Sequence, residues 1–169
     1  MQTHQMAGEL PERGYGFLAG EVRRGRTFPR EEVAAALVRY QEAAADAVAT
    51  GDWNRWADLF TEDAIYVEHQ YGVIRGREAI RRWITRAMQG QALELEFPVE
   101  WSLIDNDLVF IYCPIGYPAR DGEARFQFVS ATVLCYGGDG RWCYEEDIYN
   151  ADESLRIHAA YAATKGGAA

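Results

Sequence analysis

The segment Gly51–Ile84, GDWNRWADLFTEDAIYVEHQYGVIRGREAIRRWI, decides the fold class. Asp52 stands where the cap of a short helix belongs, and Trp53, Trp56, Ala57 and Phe60 form that helix's inward face. Ala64–His69 then reads as a strand, Gln70–Gly72 as a tight turn, and a brief return strand runs to Arg75. Gly76 precedes an amphipathic helix with Ile80, Trp83, Ile84, Ala87 and Met88 inward and Arg77, Arg81, Arg82 and Arg86 toward water. His69 falls at the end of the strand.

Upstream, a longer helix begins near Pro29–Glu32 and ends at Gly51, with an apolar stripe of Val33, Leu37, Tyr40, Ala44, Ala47 and Val48. Downstream of Ala92 the pattern is β, with strands expected at about 92–104, 107–117, 124–136 and 141–150. Asp105-Asn106, Ala119–Gly122 and Gly137-Gly138-Asp139-Gly140 supply the turns. A short helix is expected over Leu155–Ala163. Helices followed by hairpins predict an α+β fold, a curved antiparallel sheet wrapped around the N-terminal helices. The expected organisation is an extended arm over residues 1–29, a single domain over 30–163 and a disordered tail over 164–169. Either Phe17, Leu18 and Phe28 tack the arm onto the body or onto a second subunit, or the arm is a floppy extension.

With 169 residues the chain suits one core, and its 13% aromatic content can line a pocket as well as fill that core. The net charge of −9 argues against nucleic acid or an acidic membrane as partner. No run approaches a membrane span or the apolar core of a signal peptide, so a cytoplasmic protein is expected. Cys113, Cys135 and Cys143 lie in strand-like runs without a CxxC pair or clustered histidines. We read them as reduced, partly buried thiols and expect neither metal nor cofactor.

LFTEDAIYVEHQYG followed by IRGREAIRRWI resembles the SnoaL-like branch of the nuclear transport factor 2-like superfamily, over roughly residues 31–150. That superfamily includes ketosteroid isomerase, polyketide cyclases and scytalone dehydratase. The resemblance implies a cone-shaped, cystatin-like α+β roll with a pocket at its mouth. It also places His69 where the isomerases hold a catalytic aspartate. Tyr40 takes the place of their oxyanion tyrosine, about one turn farther from Gly51-Asp52, and Thr132 that of a protonated aspartate. Scytalone dehydratase pairs two histidines, whereas here His4 lies in the arm and His158 in the C-terminal helix. The Asp-Arg-Asp group of epoxide hydrolases would require Arg75 or Arg125 inside the cone.

Along the last strand, alternation puts Glu145, Asp147 and Tyr149 on one face and Tyr144, Glu146 and Ile148 on the other. By the resemblance the Tyr149 face lines the cone, so Asp147 would orient His69. The plainer reading leaves these acids in solvent or at an interface. Glu145 is disfavoured in the cone, because two carboxylates in one apolar cavity are costly.

These residues suggest a cofactor-independent acid/base enzyme of secondary metabolism, carrying out isomerisation, dehydration or cyclisation on a small apolar, possibly polycyclic, ligand. The catalytic candidates are His69, Asp147 and Tyr40. Trp56, Tyr66, Trp83, Phe128, Thr132 and Tyr149 would bind substrate, with Trp101 and Phe126 as further wall candidates and Ser130 in the floor. The alternative is a non-catalytic binding or assembly module of the same fold, using an outer face with Tyr112, Trp142 and Tyr144. A homodimer is expected under both, because an open curved sheet needs its outer face or edge covered.

Overall fold

A computed structural model describes residues 17–89, 94–118 and 126–166. Helix α1 runs Arg30–Thr50, with Glu31 and Glu32 in its first turn, where the helix dipole favours acids. It ends at Gly51, whose φ of 76° suits glycine and whose N–H donates to the Ala47 carbonyl at 2.8 Å. Asp52 Oδ1 accepts the Asn54 N–H at 2.9 Å and so starts α2, Asn54–Ala57. Phe60 was expected on this helix but opens β1, Phe60–Glu68. The Leu59 carbonyl just before it accepts the Trp142 N–H at 2.8 Å, which pulls the chain into the sheet.

β2 covers Gly72–Arg75 and α3 Arg77–Ala87. Arg82 and Arg86 are exposed as expected, but Arg81 is largely covered. It reaches Asp58 at 2.6 Å and the Asn54 carbonyl at 2.8 Å, tying α3 to α2. β3 (Trp101–Asp105), β4 (Leu108–Gly116), β5 (Gln127–Gly138), β6 (Arg141–Tyr149) and α4 (Ala151–Gly166) follow. The expected strand over 92–104 contracts to β3. Ahead of it, among the described residues, only an isolated Glu96–Gly116 bridge forms, and Pro98 has no N–H for a ladder. Residues 90–93 and 119–125 lie outside the described residues, and with them the expected turn at Ala119–Gly122. Helix α4 extends beyond Leu155–Ala163 at both ends and takes in the first residues of the expected tail.

The sheet order is β2-β1-β6-β5-β4-β3. Its pairings are antiparallel except β1–β6, which is parallel, so the sheet is mixed rather than wholly antiparallel. No hairpin imposes a direction there, because β2 to β5 intervene in the chain. Helices α1, α2 and α3 pack on the inner face around Val33, Leu37, Trp56, Phe60, Ile80, Leu134 and Trp142.

On the outer face the described part of the arm docks on its own sheet. A 3-10 turn at Leu18–Glu21 buries Ala19, with Val22 just after it, against Ile65, Val67, Cys135, Cys143 and Tyr144. Arg23 clamps Asp107 with two bonds of 2.8 and 2.6 Å. This removes two members of the expected outer interface. Tyr144 is covered by the arm, and register shifts around Tyr136 turn Trp142 into the inner core. Trp101, Leu103 and Val129 remain exposed, and Trp101 stacks on Tyr112 across β3 and β4.

Candidate functional site

The mixed sheet brings the polar residues of two strands together. In the parallel register Tyr66 lies beside Glu145 and Glu68 beside Asp147, while β5 sets Thr132 against Asp147 and Ser130 against Tyr149. All seven line one cavity of about 950 Å³, at the upper end of the usual range for small-molecule sites. Tyr40, Ala44 and Val48 of α1 complete a wall, so this part of the predicted stripe faces the cavity. Trp83, Ile84, Ala87 and Met88 of α3 form another. Ser154, Leu155 and His158 of α4 line the site from a third side.

Tyr40 donates its hydroxyl to Glu145 Oε1 at 2.6 Å, and Tyr66 donates to Asp147 Oδ2. Thr132 donates to Asp147 Oδ1 at 2.7 Å. Burial pushes the Asp147 carboxyl up to about 6, against the opposing pull of the Thr132 and Tyr66 hydrogen bonds. Glu145 is 1% exposed, and burial, with the Asp147 charge added, holds its pKa well above the usual carboxylate range. Its Oε2 has no hydrogen-bond partner. Burial, followed by the neighbouring carboxyls, also raises Tyr40 and Tyr66 well above the ordinary phenol value. Both β6 carboxyls are thus pushed toward their neutral forms by burial, Glu145 with the Asp147 charge added and Asp147 held back by its two hydroxyl partners.

Glu68 serves the mouth. Its Oε2 accepts the N–H groups of Gln70 at 2.8 Å and Tyr71 at 2.7 Å, and its Oε1 accepts the Tyr149 hydroxyl. The β1–β2 turn and the Tyr149 ring are thereby fixed by one carboxylate.

Of the residues singled out in the sequence, the structure brings Tyr40, Asp147, Trp56, Tyr66, Trp83, Phe128, Thr132 and Tyr149 to the cavity. His69 is not among its lining residues. It lies in the turn after β1 with its side chain 44% exposed, and its Nε2 is 2.9 Å from Glu146 Oε1. The expected alignment of His69 by Asp147 is therefore not what the fold holds. Strand alternation explains it: Tyr66 and Glu68 share the inner face, which leaves the next residue to the rim. The same rule, applied to AIYVEH as it was to β6, would have marked Glu68. Glu145, set aside as too costly, is inside, where Tyr40 donates to it and burial shifts it toward the neutral acid.

His158, placed by the sequence only in the C-terminal helix, lines the cavity with its Nδ1 2.7 Å from the Tyr117 hydroxyl, and burial lowers its pKa. Trp101 points outward, and Phe126 packs against Tyr161 of α4. Cys113 also lines the cavity, but burial pushes its thiol up to about 12, so it is a neutral wall. Arg75 is held by Glu21 at 2.7 Å and is not a lining residue, while Arg125 lies outside the described residues. Among the described residues no three His, Cys, Asp or Glu side chains are arranged to hold a metal ion.

The family model for the SnoaL-like domain matches residues 41–145, which take in α2, α3 and β1 to β5 whole and parts of α1 and β6. The chain belongs to the SnoaL-like domain family. The match stops short of Tyr40 on one side and of Asp147 and Tyr149 on the other. Among solved structures, this SnoaL-like chain is similar to a protein named as a SnoaL-like polyketide cyclase from Jannaschia sp. CCS1 (16% identity, 80% of this chain and 99% of that one, TM-score 0.62). It is similar to an NTF2-like protein from Anabaena variabilis (15% identity, 76% and 97%, TM-score 0.61). An LEH-like epoxide hydrolase from M. tuberculosis is a further neighbour (19% identity, 77% and 91%, TM-score 0.57). At these identities the likeness is one of fold. Among curated proteins none matches.

Proposed function

We propose that this SnoaL-like protein is a cofactor-independent acid/base enzyme for a small, largely apolar substrate. Asp147 is the base and the Tyr40–Glu145 pair the proton donor. The observation that carries this is the pair of β6 carboxyls, Glu145 and Asp147, facing one aromatic cavity, each bonded by its own tyrosine hydroxyl. Asp147 takes a proton from carbon or hydroxyl, and Glu145, held by the Tyr40 hydroxyl at Oε1, donates from its unpartnered Oε2 to the oxygen where negative charge develops. This chemistry serves isomerisation, dehydration and cyclisation alike. The Asp147 base replaces the expected His69 base. Exposed Trp101, Leu103 and Val129 supply apolar surface for the expected homodimer.

The test is hydrogen–deuterium exchange at the carbon beside the carbonyl in a panel of apolar ketones, followed by NMR in heavy water. Exchange by the wild type that falls at least ~100-fold in Asp147→Asn supports the assignment. No exchange, or equal exchange in the two proteins, defeats it. A binding role without turnover has one feature in its favour, since each Asp147 oxygen already accepts a hydroxyl. Ligand binding without exchange would establish that alternative.

A further inference from the structure

The polar side of the cavity has charge of one sign. Glu68, Glu145 and Asp147 meet there, and among the described residues no Arg or Lys lines it. His158 is the one lining histidine, and its lowered pKa keeps it neutral at pH 7. Glu68 already accepts two backbone N–H groups and a phenol. Asp147, by contrast, is met by two hydroxyls, which bring dipoles but no countercharge. Elsewhere in this chain a covered acid has a cation: Asp107, 3% exposed at its side chain, holds Arg23. A buried carboxylate without a cation is costly, and a ligand that brings one removes the cost.

A second, independent observation points to a missing partner. Glu145 is 1% exposed and Ser130 also 1%, both line the cavity, and Glu145 Oε2 and Ser130 Oγ have no hydrogen-bond partner. Beside them stand the rings of Tyr66 and Trp83, their centroids 4.7 Å apart, with Trp56 behind Tyr66 at 6.2 Å. Aromatic faces attract a cation, most strongly where water is excluded.

We propose that the cavity takes an organic cation, a protonated amine carried on an apolar body, with its N–H groups on Asp147 and Glu145 and its charge against the Tyr66 and Trp83 rings. This rests on the reading of the cavity as the ligand site and deepens it by naming the substrate class. Anionic substrates are disfavoured by the same charge distribution. The titratable groups facing Asp147 are Tyr66 and Glu68 of β1, Glu145 and Tyr149 of β6, Tyr40 of α1 and Cys113 of β4, with His69 nearby at the rim.

The test compares 4-phenylbutylamine, 4-phenylbutan-1-ol and 4-phenylbutyrate, one skeleton with three head groups, by isothermal titration calorimetry at pH 7.5. The amine should bind at least about tenfold more tightly than the alcohol, and the carboxylate most weakly. Asp147→Asn should weaken the amine by about tenfold or more and leave the alcohol within about twofold. A pH series on the wild type keeps the test independent of that variant's folding, because amine affinity should rise as Asp147 ionises near pH 6 and then level off. Equal affinity for amine and alcohol, tighter binding of the carboxylate, binding of none of the three, or a flat pH series would overturn the proposal. Amine preference without hydrogen exchange would sink the catalytic reading and leave this one. Exchange on neutral ketones without amine preference would do the reverse.

Discussion

The two faces of β6 carry the same residue types and hold them in different states. On the inner face Tyr40 bonds Glu145 and Tyr66 bonds Asp147, all of them buried. On the outer face Tyr144 donates to Glu146 at 2.6 Å, and Glu146 meets His69 at 2.9 Å in a half-open setting. Residue type does not separate the two clusters; what they face does, since the inner acids line the cavity while Glu146 pairs with His69 at the rim. A carboxyl walled off by aromatic rings keeps its proton longer and responds to whatever enters beside it.

The largest expected effect tests this contrast directly. Once a turnover or exchange reaction is in hand, Asp147→Asn should lower its rate by roughly 10²–10⁴-fold, with Glu146→Gln within about twofold of wild type. Similar losses in both variants would erase the distinction between the faces.

Next comes the pH dependence of stability. Asp147 holds its proton up to about pH 6 in the fold, against an ordinary value of 3.8. The folded state therefore binds this proton more tightly than the unfolded chain. The group favours folding as pH falls through 6 toward 3.8 and opposes it above, by an amount on the order of 3 kcal/mol at full extent. Urea unfolding at pH 4.5 and pH 7.5 should show the wild type losing roughly 2 kcal/mol more than Asp147→Asn across that interval. Parallel curves for wild type and Asp147→Asn would mean that Asp147 is not walled off.

A smaller effect reports the inner hydrogen bonds. The Tyr66 hydroxyl favours the ionised form of Asp147, so Tyr66→Phe should move the Asp147 midpoint upward, by roughly one pH unit. Carboxyl-resolved NMR of ¹³C-labelled protein would read the shift, and a downward movement would contradict the bonding pattern. The smallest effect belongs to the rim. His69→Ala should cost less than ~0.5 kcal/mol in urea unfolding and change ligand affinity by less than about twofold, because its pairing with Glu146 is half in water. A large loss would return His69 to the site.

Much of this was legible in the order of residues. Gly51 ends α1, the Ile80/Ile84 stripe settles α3, and alternation in WCYEEDIY puts Glu145, Asp147 and Tyr149 on one face. His69 was misread because its position at a strand end outweighed the alternation that sets it opposite Tyr66 and Glu68. Trp142 was misread because a bulge breaks the period of two, and bulges leave no composition signal. The strand expected at 92–104 contracts to Trp101–Asp105 because Pro98, just ahead of it, has no N–H to give a ladder.

By itself, then, the sequence determined the helices, the β-rich second half and which side chains of β6 travel together, since these follow from local periodicity and turn chemistry. Only the tertiary structure decided that β1 and β6 run parallel, that Tyr66 therefore sits by Glu145 and Glu68 by Asp147, and that α4 reaches back to line their cavity. Protonation belongs to that second category as well. A carboxyl's affinity for its proton depends on the water and charge around it, and those are set by groups distant in the chain, here Tyr40, Tyr66 and Thr132.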